Sequence, residues 1–178
     1  MKTIVVYYSR KGSNRYLAHK IAESLSCDKE EIKPRINVFM FFLMNIHLGI
    51  WPLKSDIKRY ERIILCGPIW VGKFIPPLKS FVKKYARQIN ELIFVTCCGS
   101  KYEQKDQKFG HGLIFNKVQS IIKEKCVHCE AFPIDLVLSE DQKGDDAAFM
   151  NTHLNENNFN GEIQQRFSQF INRMKQLN

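Results

Sequence analysis

The chain has 178 residues, of which 44% are hydrophobic and 25% charged. That balance is ordinary for a globular protein, and the length suits one domain, residues 1–178, with a proper core. Lys and Arg number 27 against 18 Asp and Glu, a formal net charge of +9. Such a surface calls for an acidic partner, an anionic membrane surface or nucleic acid. The cations are spread along the whole chain, and no zinc-finger, helix-turn-helix or RNA-motif signature accompanies them. A nucleic-acid partner is therefore not expected.

In chain order, the first apolar run predicts a strand over 3–8. Met1 leads straight into it, without a charged region and apolar core of a secretory leader, so a cytoplasmic protein is expected. The run ends in Ser9-Arg10-Lys11-Gly12-Ser13-Asn14, and a helix follows at once with Leu17, Ala18, Ile21, Ala22 and Leu25 on one stripe. Backbone N–H groups in the first turn of a helix have no partner within it, so this turn is an anion site suited to phosphate. Ser9, Ser13 and Asn14 offer further donors.

A weak strand is expected over 31–33, followed by an apolar excursion over 36–51. Asn45 and His47 interrupt that excursion and Pro52 stops it. It is shorter than the roughly 20 residues that span a bilayer, so no transmembrane segment is expected. It reads as a packed cover over the sheet, as a holder for a hydrophobic substrate or as a membrane contact. Further strands are expected over 62–67, 92–97 and 132–138. The intervening helices carry Leu78, Phe81, Val82 and Tyr85, and then Ile114, Val118, Ile121 and Ile122. A polar excursion over 139–160 precedes a last helix with Ile163, Phe167, Phe170, Ile171 and Met174. Strands alternating with helices, some apolar on both faces, predict an α/β, doubly wound three-layer sandwich around a five-stranded parallel sheet.

The six cysteines read as reduced thiols, with Cys27 and Cys66 in the core. Cys126-Val127-His128-Cys129 has the look of half a zinc site, but no second Cys or His pair stands at finger-like spacing, so no metal is expected.

The loop after the third strand, Gly67-Pro68-Ile69-Trp70-Val71-Gly72-Lys73-Phe74, matches most of a nucleoside-triphosphate loop and fails where chemistry decides. Phe74 stands where a hydroxyl must hold magnesium, and Pro68 removes an N–H donor. Trp70 has a different use. At the carboxyl end of a central strand, an indole is placed to stack on a planar heterocycle. A phosphate cradle beside an aromatic plate calls for a ligand with both parts, and flavin mononucleotide (FMN) has both.

At these residues the chain resembles the flavodoxin family. The resemblance rests on Tyr7-Tyr8-Ser9-Arg10-Lys11-Gly12-Ser13-Asn14, on Ile64-Leu65-Cys66-Gly67-Pro68-Ile69-Trp70-Val71-Gly72, and on Pro77-Leu78-Lys79-Ser80-Phe81. It implies a flavodoxin-like sheet in the order 2-1-3-4-5 and FMN as cofactor. It also implies three binding loops. Ser9, Arg10, Lys11, Gly12, Ser13 and Asn14 would hold the phosphate, and Pro68, Ile69, Trp70, Val71, Gly72 and Lys73 would flank the isoalloxazine. Thr96, Cys97, Cys98, Gly99 and Tyr102 would form the third loop, with Tyr102 offering a second stacking face. Cys97 and Cys98 read as strand-end residues, a redox pair, or groups that tune the flavin.

The resemblance implies electron transfer or oxidoreduction with a redox partner protein or a small-molecule acceptor. Family members are typically acidic and dock to basic faces. This basic chain points instead to an acidic protein surface as partner. The alternatives are an NAD(P)H-, quinone- or porphyrinogen-linked flavin enzyme and a flavin-free binding module.

Overall fold

The computed structural model describes residues 1–36, 49–70, 72–99 and 111–177. Along them run β1 (Thr3–Tyr7), α1 (Ser13–Ser24), β2 (Asp28–Glu31), β3 (Arg62–Cys66), β4 (Ile69–Trp70), β5 (Lys73–Phe74), α2 (Pro76–Tyr85), β6 (Glu91–Cys98), α3 (His111–Ile122), β7 (Cys126–Pro133), α4 (Asp146–Asn151) and α5 (Gly161–Gln176). Five of the strands form one sheet in the order β2-β1-β3-β6-β7, every pairing parallel. Counted by its own strands, that sheet has the expected order 2-1-3-4-5.

Successive strand residues face opposite ways, and here both faces are apolar. Ile4 and Val6, Ile63 and Leu65, and Leu92 and Phe94 turn to one core, beneath α2 and α3. Val5 and Tyr7, Ile64 and Cys66, and Ile93, Val95 and Cys97 turn to the other, beneath α1 and α5. The predicted stripes supply the cover. Leu78, Phe81 and Val82 join Ile114 and Val118 on the first face, and Leu17 and Ile21 join Ile163, Phe170 and Met174 on the second. Phe94 is fully buried, with the rings of Phe74 and Phe115 meeting it edge-on at 5.6 and 6.0 Å. Burying a ring of that size is worth roughly 3 kcal/mol.

Two strands differ from expectation. The second lies at Asp28–Glu31 rather than 31–33, an edge strand whose charged residues carry no apolar alternation. The last lies at Cys126–Pro133, and most of the stretch expected as its apolar core, Ile134–Val137, winds into a 3-10 turn instead. β4 and β5 pair antiparallel as a small hairpin where an open loop was expected.

Of the two excursions, the apolar one is described at its ends and the polar one throughout. Pro34 and Ile50 form an antiparallel bridge that joins the ends of the apolar one, whose residues 37–48 lie outside the described residues. The polar one contains α4, and it returns across the carboxyl ends of β1 and β6. No helix among the described residues is long and apolar enough to cross a membrane.

Candidate functional site

The turn after β1 is built by Gly12. Its φ of +104° is a conformation that L side chains rarely adopt, and open space lies where a Cβ would stand. Its N–H donates to Ser9 Oγ at 3.1 Å, which closes the turn and leaves the Ser9 hydroxyl proton available to another acceptor. No side chain caps α1, and its first turn carries no carboxylate. The N–H groups of that turn therefore have no partner within the helix, and Arg10 and Lys11 stand exposed beside them.

Asn14 does something other than the sequence suggested for its side chain. It is buried, and its amide Nδ2 donates to the Cys97 carbonyl at 2.9 Å while Oδ1 accepts from the Cys97 N–H at 2.8 Å. The Cys66 thiol donates to the Asn14 carbonyl at 3.4 Å. Asn14 thus ties the first turn of α1 to β6, and only its backbone N–H remains to serve an anion.

The second loop is the β4–β5 hairpin, in which Trp70 pairs with Lys73 through a turn containing Gly72. Pro68, Ile69 and Trp70 are half-buried and Lys73 is exposed; Val71 lies outside the described residues. The Arg10 guanidinium sits over the Trp70 ring at 5.7 Å from its centroid, and Tyr8 meets that ring edge-on at 6.4 Å. The turn after β1 and the indole are therefore in contact through one side chain. Burial pushes the Tyr8 hydroxyl above its ordinary range, against the lowering effect of Arg10.

At the end of β6, Thr96 is fully buried, and its Oγ1 has no hydrogen-bond partner among the described residues. Cys97 and Cys98 are buried, and as consecutive strand residues they project to opposite faces. Burial holds the Cys97 thiol well above its ordinary range, as it does Cys66. Tyr102 lies outside the described residues.

Gly99 brings in a neighbour that the sequence did not announce. A Cβ on it would stand 2.8 Å from a ring carbon of Phe149 on α4. From the same helix the Met150 carbonyl accepts from Lys11 Nζ at 3.1 Å, and just beyond it the Leu154 N–H donates to Ser13 Oγ at 3.0 Å. Farther on, Glu156 accepts from Tyr16 and Lys20 at 2.9 and 3.2 Å. The polar excursion therefore packs against both the first and the third loop.

The flavodoxin domain model matches residues 4–133, and the chain belongs to that family. Among solved structures it is similar to a flavoprotein of Lactobacillus acidophilus in complex with FMN, at 16% identity and a TM-score of 0.59 over 73% of this chain and 92% of that one. It is also similar to the flavodoxin of Fusobacterium nucleatum bound to flavin mononucleotide, at 16% identity and a TM-score of 0.52 over 99% and 98% of the two chains. The Streptococcus pneumonia TIGR4 flavodoxin is similar at 10% identity and 0.52, with both chains covered completely. At these identities the likeness is one of fold. No curated protein matches the chain.

Proposed function

We propose that the chain works as a single flavodoxin-like domain, residues 1–178, that binds FMN and carries electrons between partners. The observation that carries this reading is the contact of Arg10 with Trp70. It joins an uncapped, cation-flanked helix terminus to an aromatic plate at the carboxyl ends of neighbouring strands β1 and β3, the switch point of the sheet.

The residues fit the group. The first-turn N–H groups of α1, the Ser9 hydroxyl and the Arg10 and Lys11 charges suit a phosphate, and no carboxylate in that turn opposes it. Trp70 suits a flat ring, and the orphaned Thr96 hydroxyl at the end of β6 suits a polar ring edge. When bound, the flavin supplies the redox chemistry. Lys73, exposed beside Trp70, would stabilise negative charge on the ring, and α4 would limit the access of water.

Arg10, Lys11 and Lys73 are all exposed around the crevice. A rim of that charge steers an acidic redox partner protein, or an anionic small-molecule acceptor, toward the bound ring. The supporting relatives are the two flavoproteins whose structures contain FMN.

The test is addition of FMN to the purified full chain, followed by removal of excess and a visible spectrum. A yellow protein with quenched flavin fluorescence is expected, and Trp70→Ala weakens the quenching. A colourless protein whose added FMN fluoresces as it does free would overturn the proposal in favour of a flavin-free binding module.

A further inference from the structure

Cys126 and Cys129 stand three positions apart on β7, a spacing that sends side chains to opposite faces of an unbroken strand. The ladder with β6 is broken between Leu92 and Ile93. Leu92 aligns with Cys126, Ile93 with His128, and Phe94 with Cys129. Val127 is the additional residue of a β-bulge, and it shifts the alternation by one. Leu92 and Phe94 share the face beneath α2 and α3, so Cys126 and Cys129 share it too, half-buried against the same core. Their sulfurs lie 3.7 Å apart.

The other face takes His128 and Glu130. The His128 ring stacks on Phe170 of α5 at 6.2 Å, its Nε2 is 3.1 Å from Glu130, and Arg166 also binds Glu130. The bulge thus turns the imidazole away from the thiols, and among the described residues no three metal-ligating side chains gather. What it brings together is two sulfurs on the outermost strand of the sheet.

We propose that Cys126 and Cys129 form a reversible dithiol–disulfide couple that exchanges with low-molecular-weight disulfides of the glutathione class. Closing the bond takes the sulfurs from 3.7 Å to about 2.05 Å, which asks for rotation of both side chains and adjustment of the bulge between them. Cys126 opens β7 beside exposed Val127, and it attacks first. The contact with Cys129 holds the Cys126 thiol below its ordinary range, against burial, while the same contact and burial raise Cys129.

The Cys126 thiolate attacks one sulfur of the external disulfide, forms a mixed disulfide and releases one small thiol. Cys129 then attacks Cys126 Sγ and expels the second. The protein loses two hydrogens, one external disulfide becomes two thiols, and the protons pass to the released thiolates. Cys66 and Cys97, buried and with thiols raised by burial, are internal controls in the same chain.

The test treats the native full chain with oxidised glutathione, blocks remaining thiols and maps peptides, a readout that does not depend on flavin. Wild type is expected to show a Cys126–Cys129 link that dithiothreitol reverses. Cys129→Ser is expected to accumulate glutathione on Cys126, and Cys126→Ser to react at Cys129 about tenfold or more slowly. Glutathione on both cysteines without a link, or a link formed only in denatured protein, overturns the couple. Equal rates in the two variants overturn Cys126 as the attacking thiol.

Discussion

Asn14 and Cys97, 83 residues apart, hold each other by two hydrogen bonds, the amide of one against the backbone N–H and carbonyl of the other. The pair is buried, so neither backbone group of Cys97 has water as a substitute. Asn14→Ala is expected to destabilise the fold by about 1–3 kcal/mol for each group left unsatisfied. Asn14→Asp keeps the acceptor but sets a carboxylate against the Cys97 carbonyl, and is expected to be at least as costly. Urea unfolding of the three proteins checks both. Asn14→Ala as stable as wild type would refute the tie.

Phe149 lies where a side chain on Gly99 would go. Gly99→Ala is expected to push that ring off the third loop and cost about 1–3 kcal/mol of overpacking. Combining it with Phe149→Ala restores room, so the double variant should lose less than the sum of the singles. Thermal unfolding of the four proteins in a double-mutant cycle measures the coupling. Additive losses would mean the two residues do not press on each other.

Lys11 stands beside the uncapped start of α1. Lys11→Met is expected to weaken FMN binding about 3- to 10-fold at low salt, roughly 1 kcal/mol, and to reduce the salt dependence of affinity. Riboflavin lacks the phosphate, so its affinity should be the same in both proteins. Fluorescence titrations with the two flavins separate the outcomes. An equal loss for riboflavin would place the effect of Lys11 at the ring instead.

Burial alone would raise the Glu130 carboxyl, but the hydrogen bond from His128 and the charge of Arg166 outweigh it and hold the group below its ordinary value of 4.5. A carboxyl lowered by folding stabilises the native state above its unfolded value, and that stability is lost as pH falls through the folded one. Wild type is therefore expected to lose stability below about pH 4.5, part of it through Glu130. Glu130→Gln is expected to be about 1–3 kcal/mol less stable at pH 7 and to show a flatter curve between about pH 5 and 3. Denaturant melts across that range decide it; parallel curves would remove Glu130 from the account.

Much of the frame was legible because local pattern and burial agree. Ile63-Ile64-Leu65-Cys66 is apolar on both faces because helices cover both, and the stripe of Leu78, Phe81, Val82 and Tyr85 is the buried face of α2. β2 was misplaced because Asp28-Lys29-Glu30-Glu31 lies at the sheet edge and has nothing apolar to bury. β7 was misplaced because its bulge breaks the period that reading depends on, while Ile134 and Leu136 offered a false alternation. Within the site, Gly12 and Trp70 announce themselves by what only they can do. The partners of Asn14 and Gly99 do not, since each is set by a docking across the fold that leaves no mark on its neighbours in sequence.

α5 closes one side of the sheet, where Phe167 and Phe170 meet Phe132 at 6.2 and 5.9 Å. It is also the last element in the chain, beyond the whole stretch 4–133 that carries the sheet. Without it, Ile93, Val95 and Phe132 lie on a flank with half its roof missing. A chain lacking its last helix therefore exposes an apolar flank of the kind that makes folding intermediates prone to association. Without residues 161–176 that flank of the sheet would keep only α1 as its cover.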